Sequence, residues 1–245
     1  MTIEYPLLLC VAIAVVAFLY SAVGHAGASG YIAVMTLFGL ADAVIKPSAL
    51  VLNILVACLA FWQFWRAGYF SWRLFWPFAV LSFPLAFLGG YYQLPTHIFK
   101  LLVGLVLLYS AFRFMVQSRS DETEPQPPSL TVALPVGAGL GLLSGLTGTG
   151  GGIFLTPLLI FMRWSRTKPA SAVSALFILG NSISGLLGYL SSNRHLPLSP
   201  FPLAVAAIGG GAVGSYLGSR QFSPDLIKKL LSVVLLIAGL KLILT

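Results

Sequence analysis

Charged residues are scarce in this sequence, and acidic residues are scarcer still. Asp, Glu, Lys and Arg make up 8% of the 245 residues, against 58% hydrophobic residues, and Asp and Glu together number six. A soluble domain needs a polar exterior, so this composition excludes an ordinary soluble protein. Apolar runs of membrane-spanning length recur from Leu7 to Leu244. They predict an all-α integral membrane protein with several crossings.

None of the acidic residues interrupts an apolar segment. The six are Glu4, Asp42, Asp121, Glu122, Glu124 and Asp225. A cation site inside a membrane protein normally needs carboxylates or a cage of carbonyl oxygens, so the sequence argues against one. Cysteine is also rare: Cys10 and Cys58 lie in separate apolar segments and predict neither a disulfide nor a metal site. We expect no metal and no cofactor.

The excess of basic residues does not indicate a nucleic-acid partner. The formal net charge is +8, but Lys and Arg occur singly or in small groups between apolar segments. That placement is typical of membrane proteins, whose cytoplasmic loops are enriched in Lys and Arg. The expected partners are the lipid bilayer and a small anionic substrate, with no nucleic acid. A homodimer is left open.

Ten apolar segments follow one another along the chain. They span residues 7–24, 30–41, 48–65, 74–92 and 99–116, and then 131–147, 152–163, 170–192, 198–218 and 226–244. Residues 117–129, between the fifth and sixth segments, form the only long polar stretch and contain three acids and three prolines. This composition predicts a flexible connector between two halves.

The two halves carry the same pattern. A displacement of 122 residues places Lys46-Pro47 on Lys168-Pro169 and Gly30 on Gly152. Several matches in one order indicate an internal repeat. We therefore expect a first membrane repeat at 1–116, a cytoplasmic linker at 117–129 and a second membrane repeat at 130–245.

The number of segments in each half decides whether the second copy is inverted. With five segments per half and an external N-terminus, ten basic residues are cytoplasmic and four are external. With four spans per half, the best split is eight against six. The positive-inside rule therefore favours two inverted repeats of about five helical segments each, a cytoplasmic connector and external termini.

The second segment of each half is too short to cross a membrane. Residues 31–40 and 153–162 each supply only about ten apolar residues, whereas a spanning helix needs about 20. Glycine-rich stretches at 24–30 and 145–152 precede them. This pattern predicts a helix, an unwound turn inside the protein, and a half-helix that returns to the side it came from.

Glycine-rich turns before a half-helix suit an anion. Glycines let successive backbone N–H groups converge, and the half-helix presents the positive end of its dipole. Hydroxyl and imidazole groups in the turns add further donors. The predicted substrate-binding residues are Gly24, His25, Gly27, Ser29, Gly30, Thr147, Gly148, Thr149, Gly150, Gly151, Gly152 and Asn181.

Other roles are open for these residue types. Glycines in membrane helices also permit close packing, which is the expected role of Gly210, Gly214 and Gly218 and an alternative for the two turns. A lone histidine in an apolar protein can be a core residue, and this alternative applies to His25. The polar side chains of the long third segments are expected to form hydrogen bonds between helices, which for Asn181 is an alternative to substrate contact; they are Asn53, Asn181, Ser182 and Ser184.

The second glycine turn resembles a known signature. Residues 139–159, which read GLGLLSGLTGTGGGIFLTPLL, are similar to the TauE/SafE family of sulfite and organosulfur anion exporters. The Lys168-Pro169 boundary, the serine-rich segment after it and the duplicated layout also resemble that family, so the resemblance covers essentially the whole chain. It implies a bacterial-type inner-membrane permease for a sulfur-containing or carboxylate anion.

The sequence therefore predicts a multi-pass secondary transporter of the inner (plasma) membrane, with its site at the two glycine turns near the bilayer midplane. The anion is sulfur-containing if the resemblance holds. An anion channel of the same fold is one alternative. An intramembrane serine protease is another, because residues 27–30 match the G-x-S-G pattern of rhomboid-type enzymes. No histidine lies deep in a later span to activate that serine, so we do not expect an enzyme.

Overall fold

The structure, a computed structural model, describes residues 6–92, 108, 111–112, 124–192 and 201–244. The regular secondary structure of these residues is α-helical. The helices are α1 (Pro6–Ala22), α2 (Ala28–Leu37), α3 (Asp42–Arg66), α4 (Trp72–Tyr91), α5 (Leu130–Thr147), α6 (Gly152–Phe161), α7 (Thr167–Ser191), α8 (Phe201–Arg220) and α9 (Pro224–Leu244). Five of them, α3, α4, α5, α7 and α8, are long and apolar enough to cross a membrane. The all-α architecture of an integral membrane protein is confirmed. The predicted fifth segment lies outside the described residues, apart from 108, 111 and 112.

The two halves have the same order of helix lengths. Helices α1 to α4 contain 17, 10, 25 and 20 residues, and α5 to α8 contain 18, 10, 25 and 20. The packing partners also correspond between the halves. The first helix of each half packs on the fourth helix of the other half, α1 on α8 and α5 on α4, and the two third helices, α3 and α7, pack on each other. Both correspondences are those expected of an internal repeat.

The third helix of each half begins earlier than the apolar pattern indicates. The apolar segments start at 48 and 170, whereas α3 starts at Asp42 and α7 at Thr167, so both Lys-Pro pairs lie inside helices. Pro169 is the third residue of α7, where the N–H has no intrahelical acceptor to lose. Pro47 is the sixth residue of α3 and gives up a single hydrogen bond.

Glycines bring the backbones of two helix pairs into contact. The glycines Gly210, Gly214 and Gly218 of α8 face the backbone of Ala14, Phe18 and Ala22 on α1, and Gly137, Gly141 and Gly145 of α5 face Phe78, Ser82 and Ala86 on α4. A Cβ at any of these positions would clash with backbone atoms, so no larger residue fits. The predicted packing role of the three α8 glycines is confirmed. In both pairs the residue numbers rise together, so the paired helices run parallel.

This bundle buries many polar side chains together with its apolar core and exposes many large apolar side chains. On α1, Leu7, Val11 and Val15 follow one face at intervals of four residues and are more than half exposed. The buried residues include many hydroxyl, amide and imidazole side chains, among them Ser21, His25, Ser29, Asn53, Ser171, Ser174, Asn181 and Ser182. Exposed apolar side chains fit lipid surroundings, and polar groups among the buried residues indicate a function for them.

Candidate functional site

The first glycine turn, residues 23–27, connects α1 to α2 and is held by side chains of both helices. The Tyr31 hydroxyl donates to the Ala26 carbonyl at 2.5 Å, and the Tyr20 and Ser29 hydroxyls share a hydrogen bond of 2.8 Å. Gly27 precedes α2 with a φ of 106°, in the left-handed region that favours glycine. The predicted break before a ten-residue helix is confirmed here.

The second glycine turn, residues 148–151, connects α5 to α6. Its three glycines all have φ between 73° and 78°, so the chain reverses within four residues. Among the described residues, the amides from Thr149 to Ile153 donate to no backbone carbonyl. They lie at the start of α6, where the positive end of the helix dipole also lies. Their N–H groups are therefore available to an anion.

His25 connects the first turn to the second half of the chain. Its Nε2 lies 2.8 Å from Oγ1 of Thr156 on α6, and its ring is only 2% exposed. The two glycine-rich regions, more than a hundred residues apart in sequence, thus share one set of contacts.

One face of α7 runs past both turns. A Cβ placed on Gly24 would lie 2.5 Å from the Ser171 carbonyl oxygen, and one placed on Gly152 would lie 3.2 Å from that of Ser174. At Gly150 the added atom would lie 2.9 Å from the Ser182 hydroxyl. Positions 171, 174, 178 and 182 share one face of a helix because their spacings are three and four. We call this set of residues the α7 face.

Asn53 of α3 lies where the two turns meet. Its Oδ1 accepts a hydrogen bond of 3.1 Å from the Ala28 amide at the start of α2, and its Nδ2 donates to the Ser182 hydroxyl at 2.8 Å. A Cβ on Gly150 would lie 2.6 Å from the same Nδ2. The predicted hydrogen bond between long helices is confirmed for Asn53 and Ser182. Their contact with both turns was not predicted, although an amide in an apolar helix is a signal for it.

Several buried polar atoms near the turns have no hydrogen-bond partner in the described part of the chain. They are His25 Nδ1, Ser48 Oγ, Ser144 Oγ, Ser171 Oγ, Ser174 Oγ and Asn181 Nδ2. Ser171 and Ser174 lie on the α7 face, and the Cβ of Ser144 would lie 3.2 Å from a Cβ on Gly151. Unpartnered buried polar groups cost about 1–3 kcal/mol each, so a ligand that satisfies several at once would be stabilised here.

The remaining predicted site residues differ in what they offer. The Thr147 hydroxyl donates to the Leu143 carbonyl at 2.8 Å. The Thr149 hydroxyl lies 2.8 Å from the Thr147 hydroxyl, so the two threonine side chains hydrogen-bond to each other. Asn181 points toward α4, where its Oδ1 accepts from Ser82 at 2.8 Å. Thr156 and Ser174, which the sequence did not single out, lie closer to the turns.

Known membrane proteins are similar to this chain over most of its length. The family model described as sulfite exporter TauE/SafE matches residues 9–242. A probable membrane transporter protein of Sinorhizobium fredii is 42% identical over 241 residues, covering 96% of this chain and 97% of that protein. A probable membrane transporter protein of Methanocaldococcus jannaschii is 26% identical over 181 residues, covering 69% and 67%. No solved structure matches the chain. The chain belongs to the TauE/SafE family of membrane transport proteins.

Proposed function

We propose that this protein is a secondary transporter that moves a small oxyanion across the cytoplasmic membrane through a site between its two glycine turns. The observation that carries the proposal is the convergence of both turns on the α7 face, beside buried polar atoms that have no hydrogen-bond partner in the described part of the chain. Interrupted helices at matching positions of two halves are typical of transporter binding sites near the bilayer midplane.

Helix directions support two inverted repeats. Helices α3 and α4 are joined by residues 67–71, and so short a loop makes them antiparallel. Helices α4 and α7 run parallel, because Phe83 meets Gly180 and Phe87 meets Gly188. Helix α7, the repeat counterpart of α3, therefore runs opposite to α3. This is the relation expected of an inverted repeat, and it allows either side of the membrane to gain access to one central site.

Contacts of three basic residues with loop and helix-end residues support a cytoplasmic connector. The Arg220 guanidinium donates to Gln63 at 2.9 Å, and the ammonium of Lys168 lies 5.1 Å from the centre of the Tyr69 ring. In the connector, the Gln126 amide donates to the Arg163 carbonyl at 2.9 Å. These basic residues are among the ten assigned to the cytoplasm, so their grouping follows the positive-inside rule.

The chemistry of the site favours an anion over a cation. The Ser171 and Ser174 hydroxyls and the amides of the second turn can donate to a ligand oxygen. When Thr156 donates to Nε2 of His25, the proton of the neutral ring lies on Nδ1, which then adds another donor. The positive ends of α2 and α6 add to the same preference.

A sulfur-containing oxyanion is the substrate class that we propose. The family model is described by sulfite export. Sulfite and sulfonates have three oxygens around one sulfur, and each oxygen accepts more than one hydrogen bond. A cluster of hydroxyl, imidazole and backbone N–H donors suits hydrogen bonding to three oxygens better than a single cationic side chain would.

The protease alternative is disfavoured by the contacts of the two residues that would carry it. Ser29 Oγ bonds to the Tyr20 hydroxyl. His25 bonds to Thr156 through Nε2, and its Nδ1 has no partner among the residues that the structure describes. His25 is therefore not hydrogen-bonded to Ser29 as a general base would be. The other two histidines, His97 and His195, lie outside the described residues.

A thermal-shift screen followed by flux measurements tests the proposal. Sulfite, sulfate, methanesulfonate and acetate are compared with chloride and with potassium salts of matched ionic strength, on purified protein. We expect at least one sulfur oxyanion to raise the unfolding temperature and to be carried into liposomes. Stabilisation by cations alone, with no oxyanion flux above that of empty liposomes, would refute the function.

A further inference from the structure

We propose that Lys168 and Lys46 are two outer anion-binding stations, one at each end of the transport path, which take the anion before and after the central site. This inference rests on the proposed function and deepens it. Each lysine lies near the start of the long third helix of its own half, as the second residue of α7 and the fifth residue of α3. Each also lies beside the glycine turn of the other half.

Lys168 lies one helical turn from the first glycine turn. Its neighbour on the same face at a spacing of three is Ser171, whose backbone and Cβ face Gly24. Ser171 is fully buried and its hydroxyl has no hydrogen-bond partner among the described residues. An anion held by the ammonium group can therefore be passed to a free hydroxyl on the α7 face.

Lys46 occupies the corresponding place at the second glycine turn. A Cβ on Gly148 would lie 3.3 Å from the Lys46 Cγ, and the Lys46 ammonium donates to the Leu146 carbonyl at 3.1 Å. Because α3 and α7 run in opposite directions, their first turns lie at opposite ends of the molecule. The two ammonium groups therefore flank the central site from its two sides.

The hydrogen bonds of Lys168 are to neutral oxygens, which an anion can replace. Lys168 Nζ is 3.4 Å from the Ser219 carbonyl and 3.5 Å from the Tyr69 hydroxyl, and it makes no ion pair with a carboxylate in the described part of the chain. Lys168 and Lys46 are both half-buried. A half-buried ammonium in a membrane protein is costly to maintain, and binding of an anion would repay part of that cost.

A purely structural role is the competing account. Leu146 and Ser219 lie in the last turns of α5 and α8, whose carbonyls lack intrahelical donors, and lysines commonly satisfy such groups. A capping role predicts that loss of either lysine lowers stability without regard to the side from which the anion arrives. Anion-binding stations predict an effect on one side only.

The first experiment uses the wild-type protein in oriented liposomes. A membrane-impermeant acylating reagent is applied from either side, and the modified lysines are identified by peptide mass spectrometry. We expect Lys168 to react only from the cytoplasmic side and Lys46 only from the external side, each more slowly in sulfate or methanesulfonate. Exposed Lys229 is the internal control, whose reaction sulfate should not slow. Reaction of both lysines from one side, or no protection by either anion, would overturn the proposal.

The second experiment measures flux from each side. Lys168→Gln is expected to raise the KM for cytoplasmic anion by about tenfold, and Lys46→Gln the KM for external anion, with the arginine variants restoring most of the loss. Lys229→Gln is the matched control and should change neither. An unchanged KM with a lowered unfolding temperature would assign the lysines to helix capping. Absence of flux in the wild type would refute the transporter itself, whereas the acylation experiment reports on the stations without flux.

Discussion

His25 Nε2 and Thr156 Oγ1 lie 2.8 Å apart although 131 residues separate them in the chain. His25 belongs to the first glycine turn and Thr156 to the short helix that follows the second. The contact therefore joins the interrupted region of one half to that of the other, in the buried interior where Nδ1 of the same ring has no described partner. A movement of one half relative to the other would alter this contact directly.

His25 can be tested with two amides that each imitate one ring nitrogen. His25→Gln places an amide near Nε2 and keeps a partner for Thr156, but it removes the group at Nδ1. We expect anion flux to fall by about tenfold to a hundredfold, because a hydrogen bond to a charged group contributes about 1.5–3 kcal/mol. His25→Asn, which imitates Nδ1, should retain more flux and lose more stability. Equal anion flux in wild type and His25→Gln would indicate that Nδ1 does not bind the anion.

Gly150→Val tests the close approach at the second turn. The new Cβ would lie 2.6 Å from Asn53 Nδ2 and 2.9 Å from Ser182 Oγ, at a φ of 78° that branched residues rarely adopt. We expect flux to be abolished while the protein still inserts into the membrane. Gly139→Val on α5 is the matched control, because nothing lies within 4 Å of the added atom. Wild-type flux in a folded Gly150→Val protein would indicate that the glycines of the second turn serve packing and not anion binding.

Much of the fold follows from local patterns in the sequence. The apolar segments predicted the described helices to within a few residues, except where Lys46-Pro47 and Lys168-Pro169 were placed outside α3 and α7. Hydropathy alone misplaces those starts, because a helix can include polar residues and an early proline. The breaks at both glycine turns were predictable because successive glycines favour left-handed backbone that no helix contains.

The contacts around the two glycine turns were less predictable than the turns themselves. The sequence pointed to Thr147 and Thr149, whose hydroxyls turn out to bond to each other, and it missed Thr156, which bonds to His25. These contacts depend on how the two halves pack, and no local pattern in either half specifies that. Asn53 was recognised as a helix-to-helix donor, but its place between both turns required the three-dimensional arrangement.

Asn53 and Ser182 should be energetically coupled. Asn53→Ala leaves the Ala28 amide and the Ser182 hydroxyl without their partner, so we expect about 1–3 kcal/mol of destabilisation. Ser182→Ala should cost less, and the double variant should cost less than the sum by about 0.5–3 kcal/mol. Detergent-induced unfolding of the four proteins measures this cycle. Strict additivity would indicate that the hydrogen bond between them contributes nothing to stability.

Substitutions of the α8 glycines should lower the stability of the fold and leave substrate binding unchanged. In Gly214→Val the side chain would meet the Phe18 backbone on α1, so we expect a loss of about 1–3 kcal/mol or failure to fold. The unfolding temperature reports this loss, and the KM of the remaining folded protein should not change. Gly209→Val, where nothing lies within 4 Å, should leave the unfolding temperature unaffected. A raised KM in Gly214→Val at unaltered stability would instead place α8 at the substrate path.

Counterflow of a labelled sulfur oxyanion in liposomes tests the central claim most directly. Liposomes containing the protein are loaded with unlabelled sulfite, diluted into a trace of labelled sulfite, and followed over time beside liposomes containing Gly150→Val. A transporter whose halves alternate around one anion site predicts transient accumulation of label above its external concentration, and none with the variant. Label that only equilibrates would indicate a channel, and label that enters no faster than into empty liposomes would contradict anion transport at the glycine turns.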